Sequence, residues 1–280
     1  MIPALTLGDV LRRATDHLAK TSETARLDAE LLLAHSLGRQ RIELYTDFDR
    51  PLSEAELDEY RALVARRARS EPVAYILGEW GFRRLTLAVD GRALIPRPET
   101  EIVVERCLAL AAGIRAPRVL DVGTGTGAIA LALADELPGA SVTAIDVSTD
   151  ALTLARENVV RTGLEVELLE HDLRAGLPPG PWDLVVSNPP YVEPEELETL
   201  MPDVREFEPH VALVGRGATE MVARAAVAVL ATAGWLVLEV GDGQAPATAA
   251  LLQALGYGEV ATSADLTGRD RVVEGRHVPR

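Results

Sequence analysis

No stretch of this 280-residue chain constrains its fold more than RVLDVGTGTGAIALALA, residues 118–134. A short apolar run ends on Gly123-Thr124-Gly125-Thr126-Gly127 and passes into small and aliphatic residues, so it predicts a strand, a tight loop and a helix. Glycines let the backbone turn sharply and let a ligand approach the helix N-terminus with no Cβ in the way. The rest of the chain keeps that rhythm. Short β-rich runs at 118–122, 141–146, 165–169, 182–187 and 235–240 alternate with helical stretches, the pattern of an α/β fold with a doubly wound, mostly parallel sheet.

Upstream the texture differs. Residues 1–75 repeat apolar positions at helical spacing, as in Leu27, Leu31, Ala34 and Leu37 after Ser22, and Leu57, Tyr60, Leu63 and Val64 after Ser53. Ser53 and Glu56 have the spacing of a capping box. Three to five helices are expected there. Short alternating runs, an Asp90-Gly91 turn signal and Pro96 and Pro98 then suggest a β-hairpin connector. The expected organisation is a small all-α domain over 1–75, a connector over 76–100 and the α/β domain over 101–280.

Composition narrows the function classes. The net charge is −15, and residues 1–75 hold 11 cationic and 13 acidic side chains, so the deficit lies in the α/β part. A surface of that sign disfavours direct binding to nucleic acid. The most apolar segment, Ala225 to Val240, contains Gly234 and Glu239 and reads as a helix followed by a strand, not a membrane span. A single cysteine, Cys107, fits a reducing compartment and argues against a thiolate metal site. The expectation is a cytoplasmic protein, a monomer, without a metal.

The glycine loop alone does not choose its ligand, because Gly123-x-Gly125-x-x-Ala128 also satisfies a dinucleotide fingerprint. Two carboxylates narrow the choice. Asp121, two residues before the first glycine, can set the loop and favour a cation where a pyrophosphate would be repelled. Asp146 ends the second run, SVTAID, where its oxygens can accept from both hydroxyls of a ribose; the competing role is to cap the helix that starts near Thr149. Asp172, in EHDLRAG, can accept from an adenine amino group or be a solvated loop residue. His171 beside it reads as a surface residue. His17, His35, His210 and His277 show no metal-ligand spacing.

The run WDLVVS ends on Asn188-Pro189-Pro190-Tyr191. In a doubly wound sheet this strand delivers Asn188 beside the glycine loop. Pro189 and Pro190 hold an extended turn and leave the Pro189 carbonyl free to accept. With the Asn188 side-chain oxygen as a second acceptor, the pair suits a planar NH₂, which offers two donors. Tyr191 can stack on the plane that carries it.

At these spacings DVGTGTG, AID and NPPY resemble a class I S-adenosylmethionine-dependent methyltransferase of the kind that methylates planar amino nitrogens. EPVAYILGEWGF, ALIPRPETE, FEPHVAL and RVVEGR further resemble the protein-(glutamine-N5) methyltransferases that act on peptide chain release factors. The resemblance covers nearly the whole chain. It implies a Rossmann-like α/β fold, S-adenosylmethionine as cofactor with S-adenosylhomocysteine as product, and class I release factors as partners, modified on the glutamine of a Gly-Gly-Gln loop. It also implies that Gly123, Thr124, Gly125, Thr126, Gly127, Asp146 and Asn188 contact the cofactor, and that Asn188, Pro189, Pro190 and Tyr191 hold the glutamine side chain. One departure stands out: where relatives can carry tryptophan after the acidic position, this chain has Leu173. The rivals are a methyltransferase for another protein or small molecule, an adenine-N6 methyltransferase, which lacks a basic target-reading insertion here, and a noncatalytic cofactor-binding partner of the translation machinery.

Overall fold

The computed structural model of the chain describes residues 5–278. The described residues divide into two compact units: 5–79 together with 201–207, and 80–200 together with 208–278. In the first unit, α1 (Leu7–Leu18), α2 (Ala25–Ser36), α3 (Glu54–Arg67) and α4 (Val73–Leu77) pack as a helical bundle. Ser53 caps α3 by accepting from the Glu56 N–H, while Glu56 accepts in return from the Ser53 N–H. The stripe expected on α2 is rotated. Ala25, Ala29, Leu32 and Leu33 are buried, whereas Leu27 is exposed. The cause is Asp28, turned inward to accept from Ser22, Thr24 and Arg67, with Ser22 Oγ to Asp28 Oδ2 at 2.7 Å and Arg67 Nε to the same oxygen at 2.7 Å. An inward Asp28 sets the helix rotation and carries Leu27 outward.

The second unit opens with a hairpin, β1 (Glu79–Phe82) and β2 (Leu85–Ala88). The chain reverses at Arg83, which adopts a left-handed φ of 54°. Asp90 and Gly91 lie beyond β2, where the Asp90 carboxylate accepts from the Arg92 N–H. Then follow α5 (Glu101–Ala111), β3 (Arg118–Val122), α6 (Ala128–Glu136), β4 (Ser141–Asp146), α7 (Thr149–Thr162), β5 (Glu167–Glu170) and β6 (Trp182–Ser187). After α8 (Pro202–Phe207), which belongs to the first unit, come α9 (His210–Leu213), α10 (Ala218–Ala226), β7 (Leu230–Glu239), α11 (Ala245–Leu255), β8 (Tyr257–Ala264) and β9 (Asp270–His277). Seven strands form one sheet in the order β5-β4-β3-β6-β7-β9-β8, with β9 antiparallel to both neighbours.

Alternation along the strands loads both faces of this sheet. Val119, Leu184 and Val237 join α5, α6, Phe82 and Leu87 in one core, while Leu120, Val185 and Leu236 join Val222, Ala223 and Leu252 in the other. Asn158, wholly buried on α7, ties the hairpin to the glycine loop. Its Oδ1 accepts from the Ala88 N–H at 2.7 Å, and its Nδ2 donates to the carbonyls of Ala88 and Thr126. Among the described residues no helix is long and apolar enough to cross a membrane.

Candidate active site

Strand register decides what meets at the carboxyl edge of the sheet. Parallel pairing sets Val122 of β3 beside Ser187 of β6, and the Ser187 hydroxyl donates to the Val122 carbonyl at 2.7 Å. The loops that follow these two strands, Gly123 to Gly127 and Asn188 to Tyr191, therefore leave the sheet side by side. Between them opens a cavity of about 540 Å³, within the range that takes a small ligand. Its walls include Gly123, Thr124, Gly125, Thr126, Asp146, Asp172, Leu173, Asn188, Pro189 and Pro190. Gly127 and Tyr191 do not line it.

The glycine loop needs its glycines. Gly123, Gly125 and Gly127 all take positive φ, at 75°, 56° and 84°, a region that L side chains enter only with strain. Asp146 holds this conformation: its Oδ2 accepts from the Gly125 N–H at 2.9 Å and its Oδ1 from the Ser148 N–H at 2.9 Å. Each oxygen keeps a lone pair for a further donor. The cap of α7 is Ser148, which accepts from the Ala151 N–H, so Asp146 is not the helix cap. Asp121 stands behind the loop, wholly buried, accepting from the Thr124 hydroxyl at 2.7 Å while its Oδ1 has no hydrogen-bond partner among the described residues. Burial pushes this carboxyl up to about 7, against the pull of the Thr124 hydroxyl. It does not line the cavity, so its direct effect is on the loop.

Farther along the same wall, Asp172 accepts from the backbone and guanidinium of Arg174, hydrogen bonds that lower its pKa to about 2. It meets the cavity as an ionised acceptor already engaged by a cation. Leu173 lines the cavity and packs on the sheet core, supplying an aliphatic surface where an aromatic one was in question. His171 also lines it, its Nε2 2.9 Å from the Gly176 carbonyl.

On the opposite wall, Asn188 Nδ2 donates to Thr100 Oγ1 at 3.3 Å. The Pro190 turn is held by close approach: a Cβ on Gly215 would fall 2.3 Å from Pro190 Cγ, so no larger residue fits without moving the turn. The Tyr191 ring packs beside Gly241, and its carbonyl accepts from Gln244 Nε2. Tyr191 is thus packed against the Gly241 segment and does not line the cavity wall where stacking was expected. Burial raises the Tyr191 phenol, with the Glu239 charge adding to it.

Several wall residues were not singled out from the sequence. Ile95 and Thr100 are among them, with Val211, Gly215, Met221 and Val222. Glu208, buried in FEPHVAL, binds the Arg97 guanidinium and accepts from the Ile95 N–H at 3.3 Å, locking the IPRPE segment to the wall. Glu101 accepts from the Arg83 N–H in the hairpin turn. A cation flanked by prolines and a distant buried glutamate were the available signals, but only the fold brings them together.

A sheet of this order, with a glycine loop after β3, an acidic residue at the end of β4 and Asn-Pro-Pro-Tyr after β6, defines a class I S-adenosylmethionine-dependent methyltransferase. Residues 100–265 match the family described as Methyltransferase small domain, and residues 9–78 match the PrmC N-terminal domain. The chain is 43% identical over 276 residues to the release factor glutamine methyltransferase of Geobacter sulfurreducens, covering 97% of this chain and 96% of the relative. It is 41% identical over 281 residues to that of Vibrio cholerae, covering 98% of each. Among solved structures it resembles the T. thermophilus 16S rRNA N2 G1207 methyltransferase in complex with AdoMet and guanosine, with a TM-score of 0.52 at 19% identity, over 71% of this chain and 49% of the other; this likeness concerns the fold. The chain belongs to the release factor glutamine methyltransferase family.

Proposed function

We propose that this protein transfers a methyl group from S-adenosylmethionine to the side-chain amide nitrogen, N5, of the glutamine in the Gly-Gly-Gln motif of class I peptide chain release factors. The observation that carries this reading is one cavity bounded on one side by the glycine loop and Asp146 and on the other by Asn188 and Pro189. The donor set fits the cofactor: Asp146 keeps acceptor capacity for ribose hydroxyls, and Ile145, Val147 and Leu173 offer apolar surface for a planar base. When bound, the cofactor supplies an activated methyl on a sulfonium.

The chain's own residues must do the rest. An amide nitrogen is a poor nucleophile because its lone pair is delocalised. The Asn188 side-chain oxygen and the Pro189 carbonyl can accept from its two N–H groups, orienting it and strengthening as those protons become more acidic in the transition state. The apolar walls from Ile95, Val211 and Val222 limit water around the reacting atoms. The helical unit serves partner recognition in this reading. It carries exposed Ile42 and Tyr45, apolar side chains of the kind that protein interfaces cover.

Mass spectrometry of a release factor incubated with the protein and methyl-labelled cofactor tests the assignment. One added methyl on the glutamine of the Gly-Gly-Gln motif is expected; label on another residue, or none, would contradict it.

A further inference from the structure

Among the described residues seven carboxylates are buried, and five of them meet a guanidinium: Asp28 with Arg67, Glu30 with Arg26, Glu208 with Arg97, Asp265 with Arg271, and Glu274 with Arg106. Asp121 has Thr124 and sets the glycine loop. Glu239, the last residue of β7, has no ion-pair partner among the described residues, and its Oε2 is buried with no hydrogen-bond partner among them. Leaving a buried carboxylate without a cation is expensive, so its location calls for a reason beyond packing.

Register supplies that location. Ser187 of β6 pairs with Leu238 of β7, and one step on brings Asn188 opposite Glu239. Thr100 and Asn188 are the polar side chains that draw the Glu239 carboxyl toward its charged form, and Asn188 Nδ2 donates to Thr100 Oγ1. A carboxylate accepts only, so it can take the NH₂ end of the Asn188 amide and not its oxygen. Resting on the assignment of Asn188 as substrate acceptor, we propose that Glu239, together with Thr100, is the positioning residue that fixes the Asn188 amide with its NH₂ inward and its Oδ1 toward the substrate nitrogen.

The consequence is both orientation and strength. With Oδ1 outward, Asn188 presents an acceptor to the substrate NH₂; flipped, it would present a donor and repel the same group. An ionised neighbour on the NH₂ side also polarises the amide and makes Oδ1 a stronger acceptor. Glu239 is absent from the cavity wall, so it works through Asn188. Burial pushes its carboxyl up to about 7; the Thr100 hydroxyl, Arg271 of β9 and Asn188 pull it down and Glu99 pushes it up, with Tyr191 also facing it. In its protonated form the O–H becomes a donor that competes for Asn188 Oδ1, so the ionised form is the working one.

The test compares the full chain with its Glu239→Gln, Thr100→Val and Asn188→Ala variants on intact release factor, measuring kcat against pH, cofactor Kd and thermal midpoint. Glu239→Gln should lower kcat by roughly 10- to 100-fold, the scale of one hydrogen bond to a charged group, with cofactor Kd unchanged and the thermal midpoint not reduced. Wild-type kcat should rise with pH through a limb near about 7, and that limb should vanish in Glu239→Gln. Thr100→Val should give a smaller loss that does not add to that of Glu239→Gln. If Glu239→Gln keeps the wild-type rate and limb while Asn188→Ala is crippled, the positioning role is wrong and the acceptor role of Asn188 stands. If both variants keep the wild-type rate, the acceptor reading falls as well. A loss in kcat matched by an equal loss in cofactor affinity or a lowered midpoint would make Glu239 a structural residue and overturn the proposal.

Discussion

Two edges of the same sheet are wired in opposite ways. Where β3 and β4 end, the Asp146 oxygens are both engaged by backbone N–H groups, and the glycine loop is fixed before any ligand arrives. Where β6 and β7 end, Asn188 is held by a weaker contact to Thr100, and Glu239 behind it has an oxygen with no partner. At the cavity wall the first edge is a preformed cradle, its Asp146 oxygens satisfied and with capacity to spare, while Asp121 behind the loop leaves Oδ1 without a partner among the described residues. The second keeps a buried, unneutralised carboxylate beside the side chain that must read a substrate. Both edges hold a buried carboxyl with an unpartnered oxygen, but only at the second does it stand beside the side chain that has to discriminate between donor and acceptor, an arrangement common at functional sites.

The largest expected effect falls on the second edge. Asn188→Ala should raise the barrier to methyl transfer by about 2.7–4 kcal/mol, the cost of removing one preorganised polar group at a reacting centre. Asn188→Asp keeps an acceptor of the same shape and should retain more activity in single-turnover assays; equal loss in both would mean that the acceptor oxygen is not what matters.

Next in size is a stability effect with a defined sign. Asp121 and Glu239 both hold their protons up to about 7 in the folded protein, and release them in the ordinary carboxylate range when unfolded. The folded state therefore binds more protons in that interval, so stability is highest at its acidic end and falls as pH rises toward about 7. Over the full interval the decline amounts to roughly 4 kcal/mol for Asp121 and roughly 3 kcal/mol for Glu239. Chemical denaturation of the cofactor-free protein between about pH 5 and 8 should show the decline, and Asp121→Asn and Glu239→Gln should each flatten it. A flat wild-type profile would mean that burial holds neither carboxyl in its protonated form.

Asp146→Ala should weaken cofactor binding by about 1.5–3 kcal/mol, the scale of hydrogen bonds to a charged group, as calorimetry can measure. No change would mean that the Asp146 oxygens serve only the Gly125 and Ser148 backbone. The smallest effect concerns the helical unit. Ile42→Ser should lower kcat/KM for intact release factor by at most about 1 kcal/mol and leave a short Gly-Gly-Gln peptide unaffected. Equal loss on both substrates would remove the recognition role from this surface.

The loops that leave both edges were far more legible in the sequence than the side chains that brace them from behind. The run from Arg118 to Ala134, Asp146 and the Asn-Pro-Pro turn are local signals, written in glycine and proline spacing and in strand alternation. Asn158 and Glu208 act across 70 and 113 residues, on Ala88 and Ile95, Glu239 comes beside Asn188 only through the pairing of β6 with β7, and nothing in their neighbourhoods marks them. Glu239 read as an interruption of an apolar run until register set it opposite Asn188. The antiparallel strands β8 and β9 were also missed as elements, because many positions of Tyr257–Ala264 are exposed and its pattern is weak. The rotation of α2 was hidden for a similar reason: Asp28 looks like a surface residue until Arg67, 39 positions away, turns it inward.

The division of labour between the edges is tested most directly by a crossed measurement on Asp146→Ala and Asn188→Ala. Both variants are assayed for cofactor Kd by calorimetry and for single-turnover methylation of release factor with cofactor saturating. Asp146→Ala should lose cofactor affinity and recover most of its rate at saturation, whereas Asn188→Ala should lose far more rate than cofactor affinity and stay slow however much cofactor is added. If both variants lose affinity and rate together, or if Asn188→Ala transfers the methyl at the wild-type rate, the two edges do not have separate tasks and the account is wrong.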